Sequence, residues 1–118
     1  MIDASSYLVC RAATPTIARI WRGRTRPETA DEYEAYNRAE GMPPLERSAL
    51  GVQLLREDRD GETWFTTISY WANIDAMAAF TKGEPEAVHH LPRDAELLIE
   101  LPERIQIHRI LVDHQNLR

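Results

Sequence analysis

Two adjacent histidines, His89 and His90, carry the plainest capacity for chemistry in this 118-residue chain. A neutral imidazole takes up a proton near pH 7 or ligates a metal, and a place beside an apolar helix face lowers its pKa and favours either task. Neighbours on a helix point about 100° apart, so the pair cannot serve one site equally. The plain alternative is two surface histidines ahead of the break at Pro92. His108 alternates with Gln106 on a strand-like stretch, with Arg104 on the same face. If that face looks into a cavity, His108 is the first candidate base; otherwise it is an interface residue. Arg19 shares a strand face with Ile17 and Trp21, and a guanidinium among apolar neighbours needs an acid from a facing strand or an anionic ligand. Trp21, Tyr33, Tyr36, Trp64, Tyr70 and Trp71 could wall a ligand cavity, since each joins a large apolar face to a hydrogen-bonding tip. They could equally be core or interface, although three Trp and four Tyr exceed what a core this small needs.

Composition narrows the setting of these groups. The length suits one domain with one core. The 43% apolar and 28% charged content is that of an ordinary globule, with no long apolar run to cross a membrane and no signal-peptide pattern, so a cytoplasmic location is expected. Cys10 is the single cysteine, which excludes an internal disulfide and a thiol pair for zinc or redox work. The net charge of −5, with no Lys/Arg cluster interleaved with aromatics, disfavours a nucleic-acid partner. The arginines at 22, 24 and 26 read as a solvated strand end, or as an attractor of acidic substrate at a cavity mouth. There is no P-loop, GxGxxG, G-x-S-x-G or metal-ligand cluster, so nucleotide, serine-hydrolase and zinc chemistry lack support, and no metal is expected.

The elements that must position these residues follow from periodicity. Residues 1–15 read as an N-terminal extension in which 7–10 could form a short strand. Residues 16–22 are a first strand. Pro27 and the acids after it start a helix carrying Ala30, Tyr33 and Tyr36 or Asn37 at helical spacing, which Gly41 and the pair Pro43-Pro44 are expected to end. Residues 50–56 form a second strand, turned at 58–61 by a Gly61 free to take positive φ. Residues 63–71 form a third strand that runs directly into a helix over 74–81. Glu84-Pro85-Glu86 restarts a short helical segment through Leu91, and 94–101 is ambiguous between helical turn and strand. Residues 104–112 alternate as the last strand, and 114–118 form a tail. The order βαββαβ predicts an α+β, ferredoxin-like domain over 16–113, a four-stranded antiparallel sheet with its helices on one face. Apolar side chains on both sheet faces predict a second copy of the chain as cover, a homodimer packed sheet to sheet.

At this point the chain resembles a known family. The stretches Ile17-Ala18-Arg19-Ile20-Trp21-Arg22-Gly23-Arg24-Thr25, Ala30-Asp31-Glu32-Tyr33, Phe65-Thr66-Thr67-Ile68-Ser69-Tyr70-Trp71 and His108-Arg109-Ile110-Leu111-Val112 are similar to the antibiotic biosynthesis monooxygenase family of the dimeric α/β barrel superfamily. The resemblance implies a ligand site between sheet and helices, lined by Trp21, Tyr33, Tyr36, Trp64, Trp71, Arg19 and His89. Trp71 closes the third strand where the superfamily often places an aromatic. The implied activity is oxidation of a small aromatic or quinol-like molecule by O₂ without a cofactor. A base, His108 or His90, would remove a proton, the anion would pass an electron to O₂, and the apolar pocket would hold the radical pair until it combines. Haem-degrading members imply an alternative cofactor, haem, with His90 as its ligand. Those members carry an asparagine on the first strand where Ile20 or Trp21 stands here. A non-catalytic, ligand-binding dimer is the third alternative.

Overall fold

The computed structural model describes residues 14–84 and 86–114. Most of the expected N-terminal extension, including the strand at 7–10 and Cys10, lies outside the described residues, as does most of the C-terminal tail. The elements are β1 (Ile17–Thr25), α1 (Pro27–Tyr36), a π-helical turn (Asn37–Gly41), α2 (Met42–Ser48), β2 (Gly51–Arg59), β3 (Glu62–Trp71), α3 (Ile74–Thr81), the single turn α4 (Asp94–Leu97) and β4 (Gln106–Arg109). The four strands form one antiparallel sheet in the order β2-β3-β1-β4, the ferredoxin-like α+β arrangement.

Strand parity decides what the sheet offers to the helices. In β3 every second residue is buried: Thr63, Phe65, Thr67, Ser69 and Trp71. Their partners on β1 include Gly23, Trp21 and Arg19, opposite Phe65, Thr67 and Ser69. Because paired residues share a face, these side chains all point toward α1, while Ala18, Ile20, Ile68, Tyr70 and His108 point away. The core under α1 gathers Ala30, Tyr33, Phe65, Leu97 and Leu98, with Trp21 and Leu54 packed against it. Trp21 can lie down along its own strand because Gly23 has no side chain. A Cβ there would stand 2.5 Å from the indole.

Several boundaries differ from the expected ones for local reasons. β1 runs three residues beyond 22, since Gly23, Arg24 and Thr25 keep their pairing with β3. The first helix does not stop at Gly41. Instead it widens into the π-helical turn, and Pro43 and Pro44 fall in the first turn of α2, where a missing N–H costs nothing. The helical restart at 84–91 is absent beyond one turn in which Ala87 N–H donates to Glu84 O. Its carbonyls are taken from outside: Glu86 O accepts from Ile105 N–H and Ala87 O from the Arg19 guanidinium. α3 keeps its expected bounds, begun by Asn73, whose side chain accepts from Ala76 N–H at 2.8 Å. Gly61 takes its expected positive φ, 81°, in the β2–β3 hairpin. β4 is shorter than expected, pairing β1 only from Gln106 to Arg109. Among the described residues no helix is long and apolar enough to cross a membrane.

Candidate active site

Between the sheet and the α1–α2 layer lies a cavity of about 210 Å³. Its floor is the helix-facing side of β1 and β3, giving Arg19, Trp21, Thr67 and Ser69. Tyr33 and Asn37 enter from α1 and the π-helical turn, and Leu45 from α2. Phe80 comes from α3, His89 and Leu91 come from the segment between α3 and α4, and Asp94 opens α4. The walls are mainly apolar, with a few polar groups converging, as a small-molecule site requires.

Those polar groups are held by one another. Asp94 is only 2% exposed, and its carboxylate accepts from the Tyr33 hydroxyl at 3.2 Å and from Leu91 N–H at 2.9 Å. The Tyr33 oxygen in turn accepts from the Asn37 amide at 3.4 Å. Burial, followed by the Asp94 charge, pushes the Tyr33 phenol above its ordinary range, so Tyr33 stays a neutral donor. Arg19, 7% exposed, donates to Ala87 O at 2.7 Å, and burial lowers its pKa from the ordinary value. A guanidinium there favours negative charge on whatever occupies the cavity. The Ser69 hydroxyl accepts from Trp71 Nε1 at 2.9 Å and donates to Arg19 O.

Of the residues singled out in the sequence, Arg19, Trp21, Tyr33 and His89 meet in this cavity. The others stand elsewhere. Tyr36 packs beside Tyr33 at 6.2 Å, and its hydroxyl accepts from Arg93 N–H, so it braces the turn that presents Asp94 rather than lining the cavity. Trp71 is one layer behind the wall, its ring 5.4 Å from Phe80. Trp64 is on the wrong face by parity. Its ring lies under the guanidiniums of Arg22, Arg59 and Arg24 at 4.8, 5.2 and 5.7 Å, and Nε1 donates to Glu62. The two candidate bases also stand elsewhere. His108 pairs with Ala18 on the sheet face away from the cavity and contacts Gln106 at 3.4 Å. His89 and His90 are both exposed, and of the two only His89 reaches the cavity lining, since in a non-helical segment successive side chains diverge.

His90 is therefore not placed to ligate a group held in the cavity. The cavity also falls below the roughly 300–1,000 Å³ usual for drug-sized ligands, and haem is larger than those. Among the described residues no three His, Cys, Asp or Glu side chains cluster as metal ligands. Asn37, Thr67, Ser69 and Asp94 were missed in the sequence. Parity with Phe65 and Trp71 marks Thr67 and Ser69, and the i+4 spacing from Tyr33 marks Asn37. Asp94 has no local signal.

Fold and cavity together define a two-layer ferredoxin-like domain with a mainly apolar cavity between its layers. In fold, the chain is similar to the crystal structure of a candidate antibiotic biosynthesis monooxygenase from Bacillus cereus, with a TM-score of 0.62 and 11% identity over 89% of this chain and 100% of that one. No family model matches the sequence, and no curated protein matches it.

Proposed function

We propose that the cavity binds a small phenol-, quinol- or anthrone-like molecule and oxidises it with O₂ without a cofactor. The observation that carries this reading is the meeting of Arg19 and His89 in one aromatic-walled cavity between sheet and helices. His89, exposed at the cavity, removes a proton from the activated ring, and Arg19 stabilises the anion that results. The anion gives an electron to O₂ and the two radicals combine. In the anthrone case a ring CH₂ becomes C=O, one oxygen atom stays on carbon and the other leaves as water with both hydrogens. The aromatic side chains of Trp21, Tyr33 and Phe80 shield the intermediate on the sheet and helix sides. The fold shared with the Bacillus cereus protein is consistent with this chemistry.

O₂ uptake with a panel of anthrones and quinols, corrected for the uncatalysed rate, tests the reading. His89→Ala is expected to lower turnover by about 10²-fold or more, while His90→Ala and His108→Ala leave it near wild type. Full turnover in His89→Ala sinks the base assignment. Saturable binding with no uptake leaves a ligand-binding protein instead.

The working unit in this proposal is a homodimer formed through the outer sheet face, where Ile20 and Ile68 are half-buried and Leu55 is 46% exposed. Ile68→Arg is expected to give a folded monomer by light scattering. An unchanged mass in that variant counts against the sheet-to-sheet dimer.

A further inference from the structure

The orientation of the Asn37 amide follows from a carboxylate two hydrogen bonds away. Both Asp94 oxygens act as acceptors, one toward Leu91 N–H and the other toward the Tyr33 hydroxyl. Tyr33 has a single O–H proton and spends it on Asp94, so its oxygen is left to accept. The group that approaches it from Asn37 must then be the NH₂ end, Nδ2, at 3.4 Å. That fixes Oδ1 on the opposite side of the amide. There it accepts no hydrogen bond among the described residues, yet it is not sealed from solvent. It stands beside Gly41, where a Cβ would come within 2.9 Å of it, and both residues line the cavity. The backbone contributes as well, since a π-helical turn is a rare conformation frequent at functional sites.

We infer that Asn37 Oδ1 is the acceptor for a hydroxyl carried by the aromatic ligand, so that the cavity selects hydroxyaromatics over their O-methyl ethers. The inference rests on the reading of the cavity as an aromatic-binding site, and it adds what that reading lacks: the functional group that is recognised and the atom that recognises it. An ether covers Oδ1 without offering it a proton and so takes its water away and leaves it unpaired, which is how a polar site rejects a near-isostere. Asn37 is a specificity residue here, and Tyr33 is a positioning residue that acts through it.

Calorimetric titration with 2-naphthol and 2-methoxynaphthalene separates the two ideas. Wild-type protein is expected to bind the naphthol about tenfold more tightly than the ether. Asn37→Leu is expected to bring that ratio near one while the ether binds as before. Tyr33→Phe keeps Asn37 but frees its amide to turn, and is expected to lower the ratio too. Equal wild-type affinities, or a ratio unmoved in both variants, overturn the inference and leave the aromatic cavity standing. Binding of neither probe overturns both. Should Asn37→Leu not fold, the wild-type ratio decides.

Discussion

The helix-facing side of the sheet is two different surfaces within one pair of strands. Toward the end of β1, Thr25 and Gly23 face Thr63 and Phe65, and Ala30, Leu97 and Leu98 close over them into a dry core. Four residues earlier, Arg19 and Trp21 face Ser69 and Thr67, and the same helix layer leaves a cavity. Backbone and pairing are alike at both ends, so the difference lies in the side chains. The first end fills its volume with carbon. The second places charged and hydrogen-bonding groups where filling would be cheaper, and satisfies them through Asp94, Ala87 O and one another. A polar, partly empty region beside a packed one, on one sheet face, is what a binding site set into a stable scaffold requires.

Substitution should treat the two ends differently. The largest expected effect is at the dry end, where Phe65→Ala removes a fully buried ring that meets Tyr33 edge-on at 5.2 Å. It should cost about 3–5 kcal/mol in chemical denaturation. At the cavity end, Asp94→Asn keeps the size but sets an NH₂ group against one of two donors, Tyr33 O–H or Leu91 N–H. A loss of about 1–3 kcal/mol is expected, with a matching loss of ligand affinity that Phe65→Ala should not show in its folded fraction. Equal effects of both substitutions on affinity would erase the distinction between the ends.

A third substitution should stabilise. Thr25 Oγ1 is buried with no hydrogen-bond partner among the described residues, so Thr25→Val, the same shape in a strand, is expected to raise stability by roughly 1 kcal/mol. The smallest effect concerns pH. The Tyr33 pKa is raised in the folded state above its ordinary 10.0. Its neutral form therefore adds stability that is complete below about pH 10, the unfolded value, and is lost as pH rises toward the folded one. Melting temperatures from pH 8 to 11 should fall less steeply for Tyr33→Phe than for wild type, and parallel curves would remove Tyr33 as the alkaline-sensitive group.

The fold was legible because its signals are local. The strand period over β3, the helical period that follows it and the Gly61 turn each act within a few residues, and α3 was bounded correctly from sequence. Arg19 was legible for the same reason, since parity alone puts it beside Trp21. The base was not. The 84–91 segment has a helix-like composition, but the Arg19 guanidinium and Ile105 N–H claim its carbonyls from far along the chain, and that changes which histidine borders the cavity. Asp94 meets Tyr33 across 61 positions of sequence, a distance over which no pattern can be read.

The π-helical turn has one further consequence, in the arithmetic of insertion and deletion. Met42 N–H reaches back five residues to Asn37 O, so this turn holds one residue more than an α-helical turn would. Each residue of an α-helix advances it by about 100°, so α2 leaves the turn out of phase with α1 by about that angle. Loss of a single residue between Asn37 and Gly41 would remove that offset and set Pro43 and Pro44 against an α-helical turn that has no room for their rings. Met42, now buried, would then rotate off the sheet, and the wall that Leu45 gives the cavity would rotate with it.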